Sequence, residues 1–234
     1  MAQRAIGRKG GRPAEEAGAL SPVPVRGRLP GSRSTRAKSA LTHQRLRRAT
    51  SKLLAQKPLR DLKVADISAL AAVSPATFYI YFADVSEAVL AVIDDAYLEQ
   101  PDFAAMIAAF RKPTLAADVR AYVKAYLAYW DKHYAVLRVR NLNADEGDPR
   151  FRAARGRALG PALRAMSAKI AALRGDALGG VRPMSLATVL AGTMERLAPN
   201  LHVRQPHRDM SRPKLIDAVV LLICDALGGA AAPT

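Results

Sequence analysis

The stretch that decides the fold runs from residue 63 to residue 82 and reads KVADISALAAVSPATFYIYF. Its apolar residues recur at helical spacing in two short segments. Ser74 and Pro75 open the second segment, where a serine hydroxyl caps a helix and a proline fits the first turn. The spacing predicts two short helices joined by a tight turn. Its apolar members are Ile67, Leu70 and Ala71 on the first helix, Val73 in the turn, and Phe78 and Phe82 on the second.

Two interpretations of this helical pair are open. The second helix keeps Ala76, Thr77, Tyr79 and Tyr81 out of the predicted core, as a helix that enters a DNA major groove would. An ordinary helical hairpin with an amphipathic surface has the same periodicity. The charge of the flanking sequence favours DNA, because residues 1–60 hold 15 Lys and Arg and 2 Asp and Glu in a chain of net charge +16.

Residues 73–82 resemble the recognition-helix signature of the TetR family of bacterial transcriptional regulators. In that signature a Ser caps the helix, Thr-aromatic-Tyr follows, and a Tyr/His-Phe pair leads into the next helix. The resemblance covers residues 40–99, with Leu46, Ala49 and Ile67 at the family's apolar positions. Lys63 and Val85 depart from it, since the family usually has Thr or Ser at the first position and Lys at the second.

The resemblance implies an all-α fold with a three-helix DNA-binding head and a larger helical domain. We divide the chain into a basic Gly/Pro-rich arm at residues 1–36, disordered when free, a head at residues 37–100, and an effector-binding and dimerisation domain at residues 101–234. The first helix is expected at residues 38–56, with Leu41, Leu46, Ala49, Leu53 and Leu54 facing inward. Asp84 and Glu87 have capping-box spacing for the fourth helix.

Helices are expected throughout residues 101–234. A variable segment at residues 102–113 precedes an aromatic helix and a shorter helix at residues 133–143. The next helix should end before Gly175 and kink or break at Gly160-Pro161, because a proline removes a helical hydrogen bond. Pro199 should limit the helix after that, and the last helix is expected at residues 214–227.

The predicted DNA contacts lie on the helix pair, the first helix and the arm. Phosphates are assigned to Lys63, Ser74, Tyr79 and Tyr81, with Arg45 from the first helix. Base edges are assigned to Pro75, Ala76 and Thr77, whose methyl groups favour thymine. Arg8 and Arg12 could reach a narrow minor groove, or the arm could be a solubilising tail with only nonspecific phosphate affinity.

Tyr122, Tyr126 and Trp130 form one stripe, at i, i+4 and i+8. Such a stripe is either hydrophobic core or the aromatic wall of a ligand pocket. The resemblance favours a pocket, since the family's C-terminal domain usually binds an effector there. The side chains expected to face it are Asn141, Met166, Thr193 and Met194.

The final helix is apolar nearly all round, so it is either central in the fold or packed against a second copy. The resemblance favours a homodimer through the last two helices. Cys224 then belongs to the core, with redox sensing as the alternative. The single cysteine fits a reducing cytoplasm, and we expect a nucleoid-associated protein with no membrane partner, because the sequence has no apolar run near 18 residues and no secretory signal.

The sequence offers no catalytic constellation. It lacks a Gly-rich phosphate loop, a nucleophile elbow and paired metal-ligand spacing, which argues against an enzyme, a cofactor and a metal site. We interpret the chain as a repressor that binds double-stranded DNA as a dimer on a palindromic operator and is released by a small apolar effector of unknown identity. The alternative is an architectural DNA-binding protein without an effector.

Overall fold

The computed structural model describes residues 33–202 and 211–229. This part of the chain is all-α, as predicted, with helices and short 3-10 turns and no strand. The described residues from Ser39 onward belong to one compact unit. The helices are α1 (Arg33–Leu54), α2 (Val64–Ala71), α3 (Pro75–Tyr81), α4 (Val85–Leu98), α5 (Phe103–Ala108), α6 (Leu115–Asp145), α7 (Pro149–Arg174), α8 (Pro183–His202) and α9 (Arg212–Ala226).

The predicted helix-turn-helix is present. Helices α2 and α3 meet at a 98° bend, and Ala72 between them has a left-handed backbone with φ of 52°. Ser74 caps α3, because its Oγ accepts a hydrogen bond of 3.1 Å from the Thr77 backbone N–H. No single helix in the described ranges is long and apolar enough to cross a membrane, and α2 with α3 would qualify only if counted together across their bend.

Two hydrophobic cores hold the helices together. The first surrounds Trp130, Ile170 and Ile223, on helices α6, α7 and α9. The second contains the inward faces of α1 to α4, and α6 and α7 complete it. The second core's members on α1 to α4 include Leu46, Ile67, Phe78, Phe82 and Val89, and those on α6 and α7 are Val136, Val139, Ala144, Phe151 and Ala154. The division at residue 100 therefore remains a prediction, since side chains from both sides of it share one core.

Two predicted core residues are exposed instead. Leu41 is 56% exposed, because it lies five residues before Leu46 and so points about 140° away from the buried stripe of α1. Leu70 is 49% exposed, since the buried stripe of the short helix α2 is carried by Ile67, Ser68 and Ala71.

Several predicted helix boundaries were wrong. Where the sequence predicted a kink or a break at Gly160-Pro161, there is no break, and α7 runs through Pro161 from Pro149 to Arg174. The aromatic helix and the segment at residues 133–143 instead form the single helix α6, which departs from helical geometry only at His133 (φ −114°, ψ 21°). Helix α8 continues past Pro199, and α5 occupies the segment expected to be variable.

We expect Phe151→Ala to destabilise the protein by about 3–5 kcal/mol, because the ring is fully buried in the core that α7 shares with α1 to α4. Urea unfolding followed by circular dichroism measures the change. Leu98→Ala is the matched control, since Leu98 is 80% exposed. Equal stability of the two variants would show that α7 does not contribute to this core.

Candidate DNA-binding surface and effector cavity

Helix α3 exposes most of the side chains predicted to contact DNA. Ser74, Pro75 and Ala76 are exposed at its start. Tyr79 is 59% exposed, with its ring packed edge-on against buried Phe78 at 5.6 Å between centroids. Ile80 is 76% exposed on the same short helix, and the sequence analysis did not select it. Ile80 and Tyr79 are adjacent exposed apolar side chains on this short helix.

Thr77 and Tyr81 are held by neighbouring side chains. The Thr77 hydroxyl lies 2.9 Å from the Ser74 hydroxyl. The Tyr81 hydroxyl donates a hydrogen bond of 3.2 Å to Ser39, and its ring stacks on His43 of α1. Burial and the nearby Arg47 charge lower the pKa of His43, which keeps the imidazole neutral near pH 7. Tyr81 therefore has a fixed position, with its hydroxyl already partnered, whereas Tyr79 is more open to solvent.

The predicted cations differ in their surroundings. Arg45 is exposed and donates a hydrogen bond of 3.2 Å to the Ala72 carbonyl in the turn. Lys63 is exposed at the start of α2, where its backbone N–H donates to Asp66 at 3.3 Å. Arg48 and Lys52 are further exposed cations on α1. Arg8 and Arg12 lie outside the described residues.

The predicted aromatic stripe lines a cavity in the first core. The cavity volume open to a water-sized sphere is about 30 Å³, which is room for one or two water molecules. Of the predicted pocket residues, Tyr122, Tyr126, Trp130, Met166 and Met194 line it. Further lining residues include Gln100, Phe103, Tyr129, Arg140, Leu159, Ala162, Leu163 and Ile223. A surface groove of about 350 Å³ shares Gln100, Phe103 and Ala162 with the cavity.

Two predicted pocket residues lie away from the cavity wall. The Asn141 side-chain amide donates a hydrogen bond of 3.0 Å to Glu195. The Thr193 hydroxyl donates to the Val189 carbonyl at 3.0 Å, back along its own helix. Asn141 follows the irregular turn of α6 at His133, whereas Thr193 lies on α8 and is bonded within that helix.

The tyrosines of the cavity are protonated at neutral pH. Burial raises the pKa of Tyr122 and of Tyr129 to about 12. Burial, with the Glu195 charge in second place, also raises the pKa of Tyr126. The Tyr129 hydroxyl donates a buried hydrogen bond of 3.1 Å to the Ala96 carbonyl of α4. One wall of the cavity is therefore bonded directly to α4.

A buried ion pair lies beside the cavity. Arg140 is 3% exposed and Glu195 is 5% exposed, and Arg140 Nη2 donates to Glu195 Oε1 at 3.0 Å. Arg155 donates to the other carboxylate oxygen, from Nε at 2.7 Å, and also pairs with Asp145. The sequence analysis missed this pair, although both residues fall on apolar stripes, Arg140 three residues after Leu137 and Glu195 three before Ala198. A charged residue at a position where the helical pattern predicts burial indicates an oppositely charged partner in the core.

Helix α4 has further bonds to α6 and α7. Arg157 of α7 pairs with Asp94 and lies over the Tyr97 ring at 5.6 Å from its centroid. Beyond the end of α4, Gln100 Nε2 donates to the Ala158 carbonyl at 3.1 Å. Glu99 lies 2.6 Å from the Lys132 ammonium and 3.4 Å from His133 Nε2, at the irregular turn of α6. A movement of α6 or α7 would therefore act on α4.

Helices α8 and α9 expose apolar side chains. Met184 and Val189 of α8 are 44% and 63% exposed, and Leu221 and Leu222 of α9 are 49% and 43% exposed. Small exposed residues, Ser185, Thr188 and Gly192, follow the same face of α8 and would permit close helix packing. Cys224 is fully buried, as the sequence predicted for a core residue. Within the two described ranges, no three acidic, His or Cys side chains form a group that could hold a metal ion.

Two families match this chain. Residues 46–90 match the family described as bacterial regulatory proteins, tetR family. Residues 111–221 match the tetracyclin repressor-like C-terminal domain. The chain belongs to the TetR family of transcriptional regulators and has the fold of a DNA-binding regulator.

Solved structures share this fold at low sequence identity. A tetR-family transcriptional regulator from Streptomyces coelicolor aligns with a TM-score of 0.57 at 14% identity, over 79% of this chain and 78% of its own. The fatty acid degradation regulator FadR from Bacillus halodurans aligns with a TM-score of 0.57 at 14% identity, over 78% and 94%. Thermus thermophilus FadR, a TetR-family repressor in complex with lauroyl-CoA, aligns with a TM-score of 0.51 at 19% identity, over 82% and 98%. No curated protein matches the chain.

We expect Glu195→Ala to destabilise the protein by about 3–5 kcal/mol, because it leaves the buried Arg140 guanidinium without its carboxylate. Thermal and urea unfolding measure the loss. Asp145→Ala is the control, since the Asp145 side chain is 68% exposed and pairs with the same Arg155. If both variants lost the same small amount, the pair would be solvated rather than buried.

Proposed function

We propose that this protein is a dimeric transcriptional repressor that binds a palindromic operator and releases it when a small apolar ligand enters the cavity. The head is assigned to residues 37–100 and the effector and dimer domain to residues 101–234, in a cytoplasmic, nucleoid-associated protein. The observation that carries the proposal is the hydrogen bond from cavity-lining Tyr129 to Ala96 of α4, since α4 directly follows the helix-turn-helix.

On DNA, the exposed start of α3 would enter the major groove. Pro75, Ala76 and Thr77 are assigned to base edges, and Ser74 and Tyr79 to phosphates, together with the exposed cations Arg45 and Lys63. Tyr81 would act chiefly by holding α3 against α1, because its hydroxyl is bonded to Ser39. Arg8 and Arg12 would add affinity through counterion release.

The dimer is proposed to form through α8 and α9. Their exposed apolar side chains would be covered by the same face of a second subunit, which is the self-complementary contact of a two-fold dimer. Two recognition helices would then read half-sites about 34–36 Å apart. A palindromic operator follows from this symmetry.

The ligand would act by changing the position of α4. A cavity of about 30 Å³ is far smaller than the ~300–1,000 Å³ of typical ligand pockets, so binding must move its walls. Tyr129 and Gln100 would transmit that movement, since both line the cavity and bond across to α4 or α7. A coupling of about 1–3 kcal/mol would weaken operator binding about 5–150-fold. Thermus thermophilus FadR, a TetR-family repressor of this fold in complex with lauroyl-CoA, supports a ligand with an apolar chain.

We expect Tyr79→Ala to weaken binding to an operator selected from random DNA by about 5–15-fold, because it removes one phosphate hydrogen bond of about 1–1.5 kcal/mol. Mobility-shift titration measures the affinity, and circular dichroism confirms folding. Leu98→Ala, exposed on α4, should bind like the wild type. Full binding by Tyr79→Ala would remove Tyr79 from the contact surface, and a failure of wild-type protein to prefer the selected operator over random DNA would favour an architectural DNA-binding protein.

We expect the double variant Val189→Glu, Leu221→Glu to sediment as a 25.1 kDa monomer, because charges on the apolar face of α8 and α9 repel their counterparts in the second subunit. Analytical ultracentrifugation measures the mass, and operator affinity should fall with it. Leu142→Glu is the control, at a half-exposed leucine of α6. A variant that keeps the mass and affinity of the wild type would place the dimer contact elsewhere.

A further inference from the structure

The cavity carries one formal charge in its wall, and that charge is positive. Arg140 is the only ionisable side chain other than tyrosine among the described residues that line the cavity. Its partner Glu195 does not line the cavity, although its charge acts on the Tyr126 phenol in the wall. A molecule in the cavity would therefore contact the cation but not the carboxylate.

The guanidinium has unused donor capacity. Its Nε donates to Asn141 at 2.9 Å and its Nη2 to Glu195 at 3.0 Å. No hydrogen bond from Nη1 to any residue within the described ranges is present. A guanidinium offers five N–H groups in a planar fork that matches a carboxylate. The Nη1 group of Arg140 can therefore donate hydrogen bonds to a second anion.

Glu195 does not depend on Arg140 alone. Its Oε2 accepts from Arg155 Nε at 2.7 Å and from Arg155 Nη2 at 2.5 Å, and its Oε1 also accepts from the Asn141 amide at 3.0 Å. Two arginines thus meet one buried carboxylate, while the second acidic partner, Asp145, is 68% exposed. A second anion at Arg140 would therefore leave no buried charge without a partner.

The other polar groups of the wall also suit an acceptor. Tyr122 and Tyr126 stay protonated, because burial raises the pKa of both phenols. No Asp or Glu is found among the cavity-lining residues that the structure describes. A ligand acid would contact hydrogen-bond donors and no carboxylate.

We propose that the effector is an amphipathic monocarboxylic acid, with an apolar body among the aromatic and aliphatic side chains and its carboxylate on Arg140. This inference rests on the proposed function and narrows it from any apolar ligand to an acidic one. The apolar body is longer than the cavity and extends past Gln100, Phe103 and Ala162 into the adjoining groove of about 350 Å³. Leu159 and Leu163 of α7 line the cavity and are only partly buried, so their side chains are the ones that move to make room for the ligand.

Matched probes test the head group. Decanoate and 1-decanol are titrated into the full-length protein without DNA, by calorimetry and by the fluorescence of Trp130, the chain's single tryptophan and a member of the cavity wall. We expect decanoate to bind at least 10-fold more tightly than 1-decanol, since a charge-assisted hydrogen bond in a buried site is worth at least that much.

Variants test the residue. Arg140→Met should lower decanoate affinity about 10-fold or more and change 1-decanol affinity by less than about 2-fold. Arg138→Met, at an exposed arginine of the same helix, is the control and should bind both probes like the wild type. If Arg140→Met fails to fold, Arg140→Lys keeps the charge, loses the fork, and should show a smaller loss for decanoate alone.

The outcomes separate this inference from the proposed function. Equal affinity for acid and alcohol, no binding of decanoate, or an unchanged acid preference in both Arg140 variants overturns the acidic effector. Addition of decanoate to the protein–operator complex is the separate test of function. If decanoate binds through Arg140 and the operator complex is unchanged, the acid site stands and release by an effector fails.

Discussion

The structure depends on one shared hydrophobic core, in which α6 and α7 complete the packing of α1 to α4. Phe151 and Val136 lie in the same buried cluster as Leu46 and Phe78. Interiors pack at crystal-like density, so such a core has discrete arrangements and does not deform continuously. Helices α6 and α7, which line the cavity, therefore also complete the core of α1 to α4. A displacement of α6 or α7 requires the side chains of α1 to α4 to repack.

The sequence predicted those features that short-range periodicity determines. The helix-turn-helix, the Ser74 cap and the buried pair Phe78 and Phe82 are properties of twenty consecutive residues, where helical spacing and turn chemistry agree. The aromatic stripe was also readable, because Tyr122, Tyr126 and Trp130 belong to one regular stretch of α6. Leu70 and Leu41 were predicted to be buried but are exposed. Periodicity shows the direction of an apolar stripe, but which residues at its margins are buried depends on the helices packed against it.

The remaining features arise from contacts between distant segments. Arg140 and Glu195 are 55 residues apart in the sequence, and the burial of each charge is explained only by its contact with the other. Asn141 was assigned to the pocket as part of a separate helix facing the stripe, but it belongs to the same helix α6, beyond the irregular turn at His133. Pro161 did not break α7, which is packed against α5, α6 and α8. At Pro161, packing between helices outweighs the tendency of proline to end a helix.

The small volume of the cavity bears on how a ligand could be coupled to DNA. A ligand shifts an equilibrium only by the difference in its affinity for the two states, and a ligand that fitted the cavity as it stands would stabilise the described arrangement. The described structure is thus the state that a larger ligand binds poorly. The wall most able to yield is α7 near Gly160 and Pro161, where one helical hydrogen bond is missing. That helix also carries Phe151 into the shared core and Arg157 onto Asp94 of α4. If the proposed ligand enters by displacing α7, that helix would carry the movement to the shared core and to α4, in parallel with the hydrogen bond from Tyr129 to Ala96.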